Sequence, residues 1–322
     1  MSALNAQSNY PTLGKIIKYD NALDKLIAAD AKIEALASGY IWTEGPIWVK
    51  NGSYLLFSDV PANTIFRWKE NEGVSVFLKP SGYTGTGIYS NEPGSNGLII
   101  NQKGELVACE HGDRRVSAMP LSHGGKRTLA DNFEGKKFNS PNDLVQHSSG
   151  AYYFTDPPYG LPKQEKDSGI ELPFGVYRIG TDGKVSQVIS DLTRPNGLAF
   201  SPDEKILYVA QSDLDKAIIM AYPVQTDGSL GKGKVFYDAT PVVKEGKLRG
   251  LPDGLKIDKQ GNIFSTGPGG VLVITPEAKL LGIIHTGEAT ANCAWGDDGS
   301  TLYITANMYL CRIKTLVKGV GF

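Results

Sequence analysis

Apolar runs of four to six residues, with alternating or continuous hydrophobic positions, recur along the chain between turns rich in Gly, Asn, Asp and Pro. Such runs predict short β-strands. One pattern repeats: a polar residue, usually followed by Gly and an apolar residue, opens an apolar run. A tight turn and a second run follow. The opening residues are Glu44, Asn96, Asn142, Asn196, Asp253 and Asn292. Ten positions after each stands an apolar or aromatic residue: Tyr54, Leu106, Tyr152, Ile206, Ile263 and Leu302. Gly stands eight positions after four of them, at Gly52, Gly104, Gly150 and Gly261; the fourth unit has Pro202-Asp203-Glu204 there, and the sixth has Gly one place early, at Gly299. Asn292 is therefore the least regular anchor. Two further short runs follow in most units, such as 176–179 and 186–189.

The anchors are spaced by 52, 46, 54, 57 and 39 residues. That period, with four short strands per unit, predicts an all-β, six-bladed β-propeller. The sixth unit is short, with clear strands only at 302–305 and 309–313 after its anchor. The strand-like runs 15–19 and 32–36 are expected to complete that blade and lock the ring. Between them, 21–28 predicts a two-turn helix capped by Asn21. The expected organisation is a flexible arm at 1–14, one propeller over 15–315 and a tail at 316–322.

The first strand of each propeller blade lines the central channel, so the six anchors should ring one of its mouths. Hairpin arithmetic sets Asp59 opposite Glu44, His111 opposite Asn96, Gln211 opposite Asn196 and Asn307 opposite Asn292, with Asp156 beside the matching place in the third blade. The long loops 79–95, 157–175 and 241–251 should lie over the same mouth, where function is usually placed.

Bulk properties narrow the chemistry. The chain has 322 residues, 38 Gly, 18 Pro, 41% hydrophobic residues and a formal net charge of −1. A sizeable core can be buried, and nothing in the charge favours nucleic acid or a membrane surface. No apolar run reaches membrane-spanning length. Residues 1–10 contain no apolar signal core, which points to the cytoplasm; a processed N-terminus would look the same, so the periplasm stays open. Cys109, Cys293 and Cys311 fit neither a disulfide framework nor a zinc knuckle and read as buried free thiols. The ring offers two carboxylates and several amide oxygens, a hard donor set that suits Ca²⁺, with Mg²⁺, Mn²⁺ or Zn²⁺ as alternatives.

At these anchors the chain resembles the gluconolactonase, senescence-marker-protein and luciferin-regenerating family of six-bladed propellers, over roughly residues 40–315. The stretches that carry the resemblance are Thr43-Glu44-Gly45-Pro46, Ser140-Pro141-Asn142-Asp143-Leu144, Arg194-Pro195-Asn196-Gly197-Leu198 and Pro252-Asp253-Gly254-Leu255. Glu44-Gly45-Pro46-Ile47-Trp48-Val49-Lys50-Asn51-Gly52 and Tyr153-Phe154-Thr155-Asp156-Pro157-Pro158-Tyr159-Gly160 are similar to bacterial gluconolactonases in particular. The resemblance implies that Glu44, Asn196 and Asp253 bind a catalytic divalent metal, and that Asn142 completes its shell or touches substrate. Some animal members carry Arg where this chain has Ser140; Arg114, Arg115 or Arg249 are candidates to replace it.

The implied reaction is metal-assisted hydrolysis of a sugar lactone, glucono-1,5-lactone to gluconate, by water attack. Asp253 is the first candidate for general base, with His111 and Asp143 as alternatives. Asn142, Asn96, Arg114, Arg249 and Tyr159 are candidate substrate contacts; Tyr83, Tyr89 and Phe174 offer further stacking surfaces. No Gly-x-Ser-x-Gly elbow supports a serine esterase. The alternatives are another lactone or an organophosphate on the same site, or a propeller that binds without catalysis. The expected partner is the small-molecule lactone, to a monomer or small homo-oligomer.

Overall fold

The short apolar runs pair into six antiparallel sheets of four or five strands, beside one two-stranded ribbon, in the computed structural model, which describes residues 10–122 and 124–322. His123 and the first nine residues of the expected arm lie outside the described residues. Blade one is Thr43–Val49, Tyr54–Asp59, Thr64–Lys69 and Gly73–Leu78, in spatial order. Blades two, three and four repeat this plan, opening with Ser95–Ile100, Leu144–Gln146 and Pro195–Phe200. Blades five and six open with Leu255–Ile257 and Thr290–Gly296. The opening strand of each blade lies against that of the next, and the sixth lies against the first, so the ring is closed. The predicted second strands begin at Tyr54, Tyr152, Ile206 and Ile263, and one residue before the expected start in blades two and six.

Closure differs from the expectation in one respect. Glu34–Ser38 pairs antiparallel with Tyr309–Lys314 and completes blade six. Lys15–Lys18 instead pairs with Leu280–His285 and gives blade five a fifth strand. The linker between these strands crosses from one blade to the other, and its Leu23, Leu26, Ile27 and Ile33 fill the space between blades five and six. The expected helix is a single 3-10 turn, Asn21–Lys25, and its cap is Asp20, whose Oδ1 accepts from Ala22 N at 2.8 Å. The expected arm and tail are partly tied down: Leu13 N donates to Ile33 O, and Leu316 N to Leu26 O.

Six hydrophobic clusters fill the six spaces between neighbouring blades. Between blades six and one, for example, Tyr303 and Leu310 meet Trp48, Leu55, Phe57 and Trp68, with Trp48 and Tyr303 stacked at 5.4 Å. Both faces of most strands are buried because each blade is sandwiched between two others, which removes the strict alternation of a one-sided sheet. The three cysteines are free and buried within this packing. Among the described residues no helix is long and apolar enough to cross a membrane.

Candidate active site

Each opening strand is irregular at its anchor. The ladder shifts register between Glu44 and Ile47, between Ser95 and Leu98, between Pro195 and Leu198, and between Thr290 and Asn292. In blade three Thr155 O accepts from Asn142 N while Thr155 N donates to Asp143 O; in blade five Thr266 bonds to both Asp253 and Gly254 in the same way. Two residues therefore face one, a bulge that re-aims the anchor side chain. The glycine after the anchor permits the close approach this needs. A Cβ on Gly45 would lie 1.9 Å from Asn96 O, and one on Gly197 would lie 2.3 Å from Asp253 O.

The bulge corrects the hairpin arithmetic. Glu44 faces Ser58, and Asp59 faces Thr43; Gln211 faces Pro195, Glu110 faces Ser95, and Thr305 faces Asn292. Asp59 and Asp156 do not reach the channel mouth. They brace the chain just before each anchor: Asp59 accepts from Ile41 N and Trp42 N at 3.1 and 3.2 Å, and Asp156 from Asn139 N and Ser140 N, both at 2.8 Å. Gln211 accepts from Thr193 N at 2.9 Å in the equivalent place. Asn307 donates to Glu288 at 3.0 Å, away from Asn292.

Glu44, Asn96, Asn142, Asn196 and Asp253 line one cavity of about 510 Å³. Tyr159, Arg194, Ser212, Arg249 and Glu92 add polar walls, and Trp42, Leu214, Val243, Leu248 and Leu251 an apolar one. The amide orientations are set from behind. Asn196 Nδ2 donates to Ser212 Oγ at 2.9 Å. His111 Nδ1 lies 3.1 Å from the Glu92 carbonyl and so carries the proton, leaving Nε2 to accept from Asn142 Nδ2 at 3.4 Å. Burial pushes His111 down to about 4, so the imidazole is neutral. Asn96 Oδ1, Asn142 Oδ1 and Asp253 Oδ1 are buried without a hydrogen-bond donor among the described residues, as is the Tyr159 hydroxyl. Each such buried oxygen costs about 1–3 kcal/mol unless something binds it.

Charge tells the same story. Burial, then Asp143, pushes Glu44 up to about 8. Burial, then Glu44, Asp143 and Glu92, raises Asp253. Buried like charges disfavour joint ionisation unless a cation is shared. The donors are all oxygen, which fits a hard divalent ion. Among the described residues no group of three or more His, Cys, Asp or Glu side chains is arranged to hold a metal; the ring offers two carboxylates and several amide oxygens.

Several sequence candidates lie outside the cavity lining: Arg114, Asp143 and His111, and also Tyr83, Tyr89, Phe174 and Arg115, whose Nε donates to Glu110 at 2.7 Å. Arg114 donates through Nε to Phe138 O at 2.5 Å and through Nη2 to Gly169 O at 2.7 Å, which ties two loops together. Asp143 stands at the position that is glycine in four other blades; its Oδ1 accepts from Leu144 N and its Oδ2 from Asn292 Nδ2, at 2.8 and 3.2 Å. His111 has both ring nitrogens committed behind Asn142. Conversely, Glu92, Arg194 and Ser212 line the cavity without standing at an anchor of the repeat. Arg194 was visible inside its motif, next but one to the anchor. Glu92 sits in a long loop outside the repeat, so spacing carried no signal for it.

The family model for the SMP-30/gluconolactonase/LRE-like region matches residues 42–308. The chain is 41% identical over 317 residues to the gluconolactonase of Zymomonas mobilis, covering 97% of this chain and 89% of that protein. It superposes with a TM-score of 0.82 on a gluconolactonase structure from Xanthomonas campestris, at 30% identity and covering 97% and 99% of the two chains. An X-ray structure of a protein taken to be a gluconolactonase gives a TM-score of 0.83 at 33% identity, covering 96% and 100%. With six blades in the expected order and five of the six anchors lining one cavity, while Asn292 donates to Glu44 and Asp143, this chain belongs to the SMP-30/gluconolactonase/LRE-like family.

Proposed function

We propose that the chain is a calcium-dependent lactonase that opens a sugar lactone of the glucono-1,5-lactone type to its hydroxy acid. The observation that carries this reading is the set of oxygens without donors around one cavity: Asp253 Oδ1, Asn142 Oδ1 and Asn96 Oδ1, beside the buried carboxylate of Glu44. Glu44, Asn142, Asn196 and Asp253 would hold the cation. When bound, it supplies Lewis-acid stabilisation of the charge that develops on the lactone carbonyl oxygen.

The remaining residues bind and orient. Asn96, Tyr159 and Arg249 offer hydrogen bonds to ring hydroxyls, and Trp42 with the leucines of the outer wall covers a C–H face. His111 keeps the Asn142 oxygen turned to the cavity by accepting from its amide. Water adds to the carbonyl carbon and the ring C–O bond breaks. The relatives named gluconolactonase support a lactone over an organophosphate as substrate.

The test is pH-stat titration with glucono-1,5-lactone and a panel of other lactones, before and after EDTA and with Ca²⁺, Mg²⁺, Mn²⁺ or Zn²⁺ restored. Hydrolysis above the spontaneous rate should vanish with chelator and return best with Ca²⁺. Asp253→Asn and Glu44→Gln should each lower kcat/KM by about 10²–10³-fold or more while the fold is retained by circular dichroism. Full activity in either variant overturns the ligand assignment.

A further inference from the structure

Lactone opening needs a group that takes a proton from water and returns one to the departing ring oxygen. Several acidic or basic groups near the cavity are already engaged. His111 has its Nδ1–H on the Glu92 carbonyl and its Nε2 against Asn142. Both oxygens of Asp143 accept hydrogen bonds below the ring. Glu44 and Asp253 are the two carboxylates assigned to the cation in the proposed function.

Glu92 is different. It lines the same cavity from the loop that enters blade two. Among the described residues its carboxylate has neither a hydrogen-bond nor an ion-pair partner, although its backbone is fixed twice. Its N donates to Ser90 Oγ at 3.3 Å, and its carbonyl faces His111 Nδ1 at 3.1 Å. A rigid backbone carrying an uncommitted carboxylate into a cavity is the arrangement a proton-transfer group requires.

We propose that Glu92 is the general base and acid of the lactonase site; this rests on the lactonase reading above. The Glu92 carboxylate takes a proton from water as the water oxygen bonds to the lactone carbonyl carbon. The ring C–O bond then breaks, and the proton on Glu92 passes to the departing ring oxygen, which leaves as a hydroxyl. Glu92 is thereby restored, and the new carboxylic acid ionises to solvent, releasing one proton per ring opened. The charged and titratable groups that share the cavity are Glu44, Asp253, Tyr159, Arg194 and Arg249, with His111 behind. Burial pushes Glu92 up to about 7, which suits exchange in both directions near neutral pH.

The experiment uses the full chain loaded with Ca²⁺ and compares wild type, Glu92→Gln and Glu92→Ala. The variants should lose about 10²–10⁴-fold in kcat, with KM changed little. The acid limb of the wild-type pH–rate profile should be absent in Glu92→Gln, and added formate should restore part of the activity of Glu92→Ala. Calcium affinity by titration calorimetry and the Tm should match wild type. Wild-type-like kcat, or a retained acid limb, in Glu92→Gln overturns the assignment while leaving the lactonase reading intact. Lost calcium binding in Glu92→Gln makes Glu92 a ligand and also overturns it. A wild-type protein that opens no lactone overturns both.

Discussion

Gly197 shows how tightly the ring is drawn at its mouth. A methyl group there would sit 2.3 Å from the Asp253 carbonyl and 2.6 Å from Gly254 Cα, both backbone atoms that cannot swing aside. Gly197→Ala is expected to cost about 1–3 kcal/mol and to displace Asp253, so both Tm and kcat should fall; a thermal melt and the pH-stat assay check it. An unchanged variant would show that the anchor bulge tolerates a shift. The same residue-scale detail explains what the repeat could not reveal. The anchors were legible because polar-Gly-apolar recurs at a fixed offset. The bulge was not, because one extra residue leaves the pattern of residue types unchanged while sliding the facing strand by one. Asp59 and Gln211 therefore brace backbone N–H groups where rim side chains were expected.

At the scale of the element, the N-terminal strands decide whether the ring is a ring. Glu34–Ser38 supplies the outer strand of blade six, and its Glu34 pairs with Arg312 Nε at 2.6 Å. Arg312 also pairs with Glu70 and stands 5.5 Å from the centre of the Trp68 ring, so this strand fastens blade six to blade one. Removing residues 1–38 should expose the edge of Tyr309–Lys314 and empty the space that Leu23, Leu26, Ile27 and Ile33 occupy. The expected outcome is a protein that aggregates or elutes as oligomers in size-exclusion chromatography, since exposed edges invite strand pairing. A truncated monomer with the parent Tm would contradict this. The two runs were readable as strands, but their separate destinations were not. Pairing partners are set by the path of the linker and by which apolar gap its side chains fill.

For the whole molecule, the ring's charge balance sets a dependence on pH and cation. Glu44 is pushed up to about 8 in the fold, far above its unfolded value, and Asp253 is raised as well. The folded state then binds more protons than the unfolded one between the two pKa values. Stability of the cation-free protein is therefore full below the unfolded pKa and falls as pH rises toward about 8. A cation held by the ionised carboxylates should reverse this, so the stabilising effect of added Ca²⁺ is expected to grow with pH. At a concentration of 100 times Kd the gain is about 2.7 kcal/mol. Scanning fluorimetry should show Ca²⁺ raising Tm clearly at about pH 8 and little at about pH 5. No shift at the higher pH would count against a cation in the ring. What the sequence determined by itself was the six-fold repeat, the all-β class and the identity of the anchors, because each depends on local residue type and spacing. Tertiary structure alone decided the blade that each N-terminal strand joins, the true register at the mouth, the retirement of Arg114, Asp143 and His111 from the cavity wall, and the presence there of Glu92. Those facts depend on which side chains meet across blades and loops, and proximity of that kind leaves no period in the chain.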